Sequence, residues 1–380
     1  MTGREKIEAA FSAQGTPEIP AVICYEGIYI RDHWSQLTSA PWWYAQSPDI
    51  SQQLAWHRDA ITATGQDWFA IPTSYSRQLR DDMCLEVRPE GVFRVNRKSG
   101  REERLEEPQE AGWSRGLEIE SVHPEHWAGS ASEIDKLLPD VPRFDRESYL
   151  SSGGADLAKA LLAGPAQDLF PLSHVGTPLW HTYTLWGFEG MMTMVATRPD
   201  LVKYACERLL ELSLRGVRAA AAVGARGIWL EECLTDMVSP TVFAEINVPL
   251  IQRLVGEIRS LGMKSIYYYC GNPHDRWDLL LECGADALAL EESKKGWEID
   301  IADVVERVDG KCAILGNLDA IDLLENGSDD DLRKEVNRQI EAGRRNGSRF
   351  IMSIGSPVTP GTGVQRVRRY CDLVHELGCR

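Results

Sequence analysis

Apolar and polar positions along this chain follow two periods that take turns, and the alternation becomes regular from about residue 155 onward. Short apolar runs of strand length occur at 169–175, 227–231, 264–269, 287–290, 313–316 and 350–353. Between and after them, apolar residues recur at helical spacing over 188–196, 199–223, 240–261, 277–283, 301–308, 329–346 and 363–377. Strands alternating with helices predict a parallel sheet covered by helices. Asp329, Asp330 and Asp331 ahead of Leu332 suit a helix start, because carboxylates complement the exposed amides of a first turn.

The first 150 residues are less regular. Residues 19–25 read as a first strand and 68–73 as a second, while 85–95 alternates around Pro89-Glu90-Gly91 and predicts a hairpin. Residues 98–150 are rich in charge, Gly, Ser and Pro, and read as a peripheral insertion and linker with one short helix at 131–138. No repeat of fixed period is evident. Polar residues gather at the ends of successive strands, which favours a closed TIM-type (β/α)8 barrel with a hairpin and a surface insertion over an open doubly wound sheet. The expected organisation is one barrel domain over residues 1–380.

Composition narrows the function classes. A hydrophobic share of 43% supports a sizeable core, and no apolar run approaches the about 20 residues of a membrane helix. The N-terminus mixes charges with apolar residues at helical spacing and reads as a first helix, not a signal peptide. A formal charge of −16 without a basic run argues against nucleic acid and anionic lipid as partners. Nine cysteines without a CxxC pair fit a reducing cytoplasm.

The candidate chemistry lies at the strand ends. Ile228-Trp229-Leu230 runs into Glu231-Glu232-Cys233, where strand alternation lets only one carboxylate face a site, either Glu231 or Glu232; Glu232 is entered among the candidates. Tyr267-Tyr268-Tyr269-Cys270 precedes a Gly271-Asn272 turn, and Ala287–Leu290 runs into Glu291-Glu292. Lys294 and Lys295 offer rim partners to those glutamates. Asn317 can donate and accept at once, while Asp319 suits a helix cap. Upstream, His174-Val-Gly176-Thr-Pro178-Leu-Trp180-His181-Thr-Tyr183 supplies a proton carrier in His181, an orienting phenol in Tyr183 and an apolar wall in Trp180 and Trp186.

Taken in order, Tyr268-Tyr-Cys270-Gly271, Gly284-Ala-Asp286, Glu291-Glu292 and Gly316-Asn317-Leu318-Asp319 resemble the uroporphyrinogen decarboxylase superfamily. That superfamily includes porphyrinogen decarboxylases and methyltransferases that serve corrinoid proteins. In those methyltransferases the first segment reads His-x-Cys-Gly and a later Ser-x-Gly-Cys supplies a further thiolate to zinc; here Tyr268 and Ser356 stand at the changed positions. The decarboxylases' arginine-rich N-terminal loop corresponds to Cys24-Tyr25-Glu26-Gly27-Ile-Tyr29-Ile-Arg31-Asp32-His33-Trp34, which holds one arginine.

The resemblance implies a methyltransferase moving a methyl group between a small substrate and a separate corrinoid protein. Decarboxylation of a small organic acid and non-catalytic ligand binding are the alternatives; classical uroporphyrinogen decarboxylation is disfavoured. His181, Tyr183, Glu232, Tyr268 and Glu292 are the expected catalytic residues, and Glu26, Arg31, Trp180, Asn317 and Ser356 the substrate contacts. Cys270 with Glu232 and Glu292 is the set from which a divalent metal site such as zinc would be rebuilt. Tyr268, Cys270, Glu292 and Asn317 are expected to face one aromatic, partly acidic cavity.

Overall fold

The computed structural model describes residues 1–110, 124–138, 140–293 and 296–379. Within them the strands are β1 (Trp68–Ala70), β2 (Met83–Arg88), β3 (Gly91–Asn96), β4 (Glu102–Leu105), β5 (Phe170–Gly176), β6 (Gly227–Cys233), β7 (Lys264–Cys270), β8 (Ala287–Leu290), β9 (Ala313–Leu315) and β10 (Phe350–Ile351). β1 and β5 to β10 form a parallel seven-stranded sheet in which each strand pairs with the next in chain order. Helices return the chain between strands, the longest being Pro199–Val223 between β5 and β6.

Residues 20–22 occupy the gap between the sheet's two edges. Ala21 bridges Met352 in parallel sense, Val22 N donates to Met352 O at 2.9 Å, and Asp67 N donates to Ala21 O at 2.8 Å. The expected strand at 19–25 is thus an isolated bridge rather than a regular ladder, because Ala21 and Ile23 N–H groups turn to the side chains of Asp67 and Gln66. The sheet still curls into a TIM-type α/β barrel. At the lower end of β1, Asp67 accepts from Lys6 Nζ at 3.1 Å and pairs with His375 Nε2 at 2.7 Å, tying the first and last helices to the sheet.

The hairpin falls where alternation placed it, with Arg88 opposite Gly91, but Glu102–Leu105 adds a third antiparallel strand within the stretch read as linker. Arg88 bridges Glu86 and Glu102 there. Helices occur next at Ala131–Leu137 and Arg146–Ser151. The rest of that insertion, residues 111–123 and 139, lies outside the described residues, as do Lys294 and Lys295. The part at 124–138 packs back on the barrel, where Ala128 O accepts from the buried Trp186 indole at 3.0 Å.

The helix expected over 240–261 is broken into a short turn, a π-helical turn at Phe243–Asn247 and the helix Val248–Ser260. A π-turn carries one extra residue and shifts the direction of the side chains around it. Here it delivers the buried Asn247 to β6.

Candidate active site at the barrel mouth

β6 and β7 build the centre of the site. They pair in register from Gly227 with Lys264 to Cys233 with Cys270, so Trp229, Glu231 and Cys233 share one face with Tyr268 and Cys270. That face is the barrel interior: Trp229 stacks on Tyr268 at 4.9 Å between centroids and meets Trp68 edge-on. Both stacked rings are buried and make a floor. Tyr268 OH reaches across the barrel to Gly355 O at 3.0 Å, which fixes the ring.

Above the floor lie side chains that retain solvent access. Tyr25 packs edge-on against both Trp229 and Tyr268, with its hydroxyl 3.0 Å from Glu231 Oε1. Its backbone is left-handed, at φ 54°, a strain of about 1–3 kcal/mol for such a residue that these contacts offset. His174 projects from β5 beside Tyr25 and Trp229. Its imidazole keeps open surface, but the surrounding protein pushes its pKa down to about 4, so the ring is neutral at pH 7.

Glu231 lies on this same face, in register with Tyr268. Burial raises its carboxyl above the ordinary range, opposed by hydrogen bonds from Tyr25 and, at 3.8 Å, the Cys233 thiol. The Cys233 thiol is itself pushed up by its hydrogen bond with Cys270, then by burial. Glu291 follows Ala289 on the inner face, close enough to Tyr268 for its charge to help raise the phenol. The inner face therefore offers a carboxyl whose pKa is raised by burial, a neutral imidazole, two thiols and aromatic walls.

His181 joins this group. A Cβ at Gly176 would fall 2.0 Å from His181 Nε2, so the glycine makes room for the ring over the end of β5, beside Gly176's register partner Glu231. Burial lowers the His181 pKa. Trp180 lies against it at 5.2 Å, and Tyr183 begins the helix Tyr183–Thr197 just beyond.

Other expected site residues lie elsewhere. Glu232 points away from the mouth into the helix layer, accepting from Asn247 Nδ2 at 2.8 Å and Tyr267 OH at 3.1 Å; burial raises its pKa to about 7. Glu292 accepts from the buried Ser356 hydroxyl at 2.7 Å. Asn317 donates to Glu291 O and Ile299 O, fixing two loops, and with Glu292 it borders a cleft of about 360 Å³ beside Lys334 and Arg338. Asp319 caps the turn after it through Ile321 N and Asp322 N, as its position suggested. The expected common cavity therefore divides: Tyr268, Cys270 and Glu231 meet at the mouth, while Glu292 and Asn317 sit together on the helix side.

Glu26 is buried, accepting from Ala70 N at 2.6 Å and Gln66 Nε2 at 2.8 Å, and burial raises its pKa to about 7. It borders a cavity of about 520 Å³ between the helix Ile50–Thr64 and the segment after β1, outside the barrel. The Arg31 guanidinium pairs with Asp32 at 2.9 Å.

Cys270, Glu232 and Glu292 thus have three separate surroundings, and among the described residues no group of three His, Cys, Asp or Glu side chains is arranged to hold a metal ion. With Tyr268 engaged by Gly355 and Ser356 by Glu292, the residues present do not fit the zinc set of the resembling methyltransferases. Sequence reasoning did not enter Tyr25, His174, Trp229, Cys233 or Glu291 as site residues, and it left open which of Glu231 and Glu232 faces the mouth while entering Glu232 among the candidates. The usable signal was period two: if Cys270 and Tyr268 face inward, so must one alternate set on β6.

The family model for uroporphyrinogen decarboxylase (URO-D) matches residues 167–377, more than half of the chain. The chain belongs to the uroporphyrinogen decarboxylase family. Among curated family members, the uroporphyrinogen decarboxylase of Thermodesulfovibrio yellowstonii is 28% identical over 154 residues, covering 40% of this chain and 42% of that protein. That of Xanthomonas euvesicatoria is 26% identical over 201 residues, 51% of this chain and 54% of that protein. The chain spans about half the length of these curated relatives, although a Xanthomonas campestris homologue is matched at 26% over 70% of this chain and 77% of its own length. A solved methyltransferase from Methanosarcina mazei has the same fold over 99% of both chains, with a TM-score of 0.65 and 17% identity. The fold shared with that structure thus extends over the N-terminal part that the family model leaves unmatched.

No helix among the described residues is long and apolar enough to cross a membrane.

Proposed function

We propose that this family member is an enzyme that removes a methyl group from a small substrate at the barrel mouth and passes it to a corrinoid carried by a separate protein. The observation that carries the reading is Glu231, a carboxyl biased toward its protonated form and hydrogen-bonded by Tyr25 on the open inner face. Taking a methyl group from oxygen or nitrogen leaves an electron pair on that atom. Glu231 donates its proton there, a contribution of about 10²–10⁴ in rate for a well-placed acid. The corrinoid, when docked, supplies the methyl-accepting centre.

The product leaves with that proton, and Glu231 takes a fresh one from solvent past the neutral imidazoles of His181 and His174, so that one proton is consumed for each methyl group removed. Trp229, Tyr268 and Tyr25 give the substrate an apolar, aromatic seat. A porphyrinogen with many carboxylates needs cationic partners, and Arg31, the one arginine of segment 24–34, is already paired with Asp32. Uroporphyrinogen is therefore a poor substrate in this reading.

A second reading has specific support: Glu231 is equally suited to protonate the carbanion left when a small organic acid loses CO₂, and the curated relatives are decarboxylases. Incubating the purified chain with isotopically methyl-labelled small ethers and amines, with and without a reduced corrinoid protein, separates the two. Label appearing on the corrinoid only in the complete mixture is the expected result. Release of CO₂ from a small acid, or from uroporphyrinogen, without any corrinoid protein would overturn the methyl-transfer reading. Saturable binding without turnover of any kind would leave a ligand-binding homologue.

A further inference from the structure

Cys233 and Cys270 end β6 and β7 as direct register partners. Such partners project to the same side of a sheet, and neighbouring strands lie about 4.8 Å apart. That spacing falls within the Cα separation of about 4.4–6.8 Å that a disulfide spans. The Cys233 thiol already hydrogen-bonds with Cys270. Both side chains keep partial solvent access at the mouth, whereas Cys24, Cys206, Cys283, Cys312 and Cys371 are buried.

We propose that Cys233 and Cys270 are a dithiol modification site, closing to a disulfide by exchange with a small-molecule disulfide and tying β6 to β7 beside Glu231. The Cys233 thiol donates to Glu231 Oε1 at 3.8 Å, so the first attack falls to Cys270. Its thiolate displaces one half of the small disulfide as a thiolate and forms a mixed disulfide. Cys233 then releases its proton to solvent and attacks the Cys270 sulfur, expelling the second half. The chain loses two electrons and two protons, and the small disulfide is reduced to two thiols. Closure takes away the thiol that faces Glu231 Oε1 at 3.8 Å, so oxidation acts on the proposed acid directly.

This site goes beyond the methyl-transfer reading and stands or falls without it, because the test reads covalent bonds. The full chain is incubated with oxidised glutathione, trapped by alkylation and mapped by non-reducing peptide mass spectrometry. The expected result is a peptide pair linked through Cys233 and Cys270, with the loss of two alkylatable thiols and their recovery on adding dithiothreitol. In Cys233→Ser a glutathione adduct should persist on Cys270, since the resolving thiol is gone. In Cys270→Ser the adduct on Cys233 should be absent or much slower. Wild-type protein whose Cys233 and Cys270 stay unlinked while the exposed Cys379 takes the adduct would overturn the proposal, as would linkage of either residue to Cys84. Far-ultraviolet dichroism and melting of each variant separate a lost thiol from a lost fold; the wild-type map needs no variant.

Discussion

Glu231 and Glu232 are neighbours on β6, yet one ends in the barrel mouth against Tyr25 and Cys233 and the other in the helix layer against Asn247 and Tyr267. Burial raises both carboxyls. Inside the mouth the raised carboxyl keeps partial solvent access, which lets it give its proton to a bound molecule. In the helix layer the partners are fixed side chains, and the same shift only makes stability depend on pH. Perturbed ionisation therefore marks a candidate group, and access decides whether the group is chemical or structural.

Three substitutions probe that difference. The largest effect is expected from Glu231→Gln, which keeps shape but removes the transferable proton: kcat should fall about 10²–10⁴-fold in the reaction that proves to be catalysed. Its melting temperature should stay close to wild type. An active Glu231→Gln protein would remove Glu231 from the role of acid.

Glu232→Gln should do the reverse. The folded carboxyl titrates at about 7 against 4.5 for an ordinary glutamate, so between these values the folded chain holds a proton that the unfolded chain has released. Stability contributed by this group therefore falls as pH rises from about 4.5 to 7, by an upper limit of about 3 kcal/mol. The amide cannot ionise. Denaturant titrations at pH 5 and pH 8 should show a flatter pH dependence for the variant, with the gain over wild type at pH 8; an unchanged slope would contradict the burial argument.

Tyr25→Phe sharpens the comparison at smaller scale. Its hydroxyl lowers the Glu231 pKa against the effect of burial, so losing it should move the alkaline limb of the pH–rate profile to higher pH, since the proton stays on longer. The cost in transition-state stabilisation should be about 1 kcal/mol, the worth of one hydrogen bond. A limb that moves to lower pH would show that Glu231 does not set it.

Much of the frame was readable along the chain. The runs at 287–290 and 301–308 became β8 and a helix of the same bounds, because an apolar stretch between turn residues, or a stripe at helical spacing, is a local property. The cap at Asp319 was equally local. By contrast, Asn317, Ser356 and Glu292 looked like site residues because they are polar at strand ends, and each proved to satisfy a buried neighbour or loop carbonyl.

What the sequence determined by itself was the alternation of strands and helices, the hairpin, and the family, since short-range propensity and ordered motifs need no knowledge of distant contacts. Only the tertiary structure decided which glutamate faces the mouth, how Tyr25 reaches Glu231 across 206 positions of chain, and that Cys233 stands beside Cys270. Side-chain direction in a strand reverses with every residue, so a site's membership depends on a register that is fixed by packing between strands far apart in sequence.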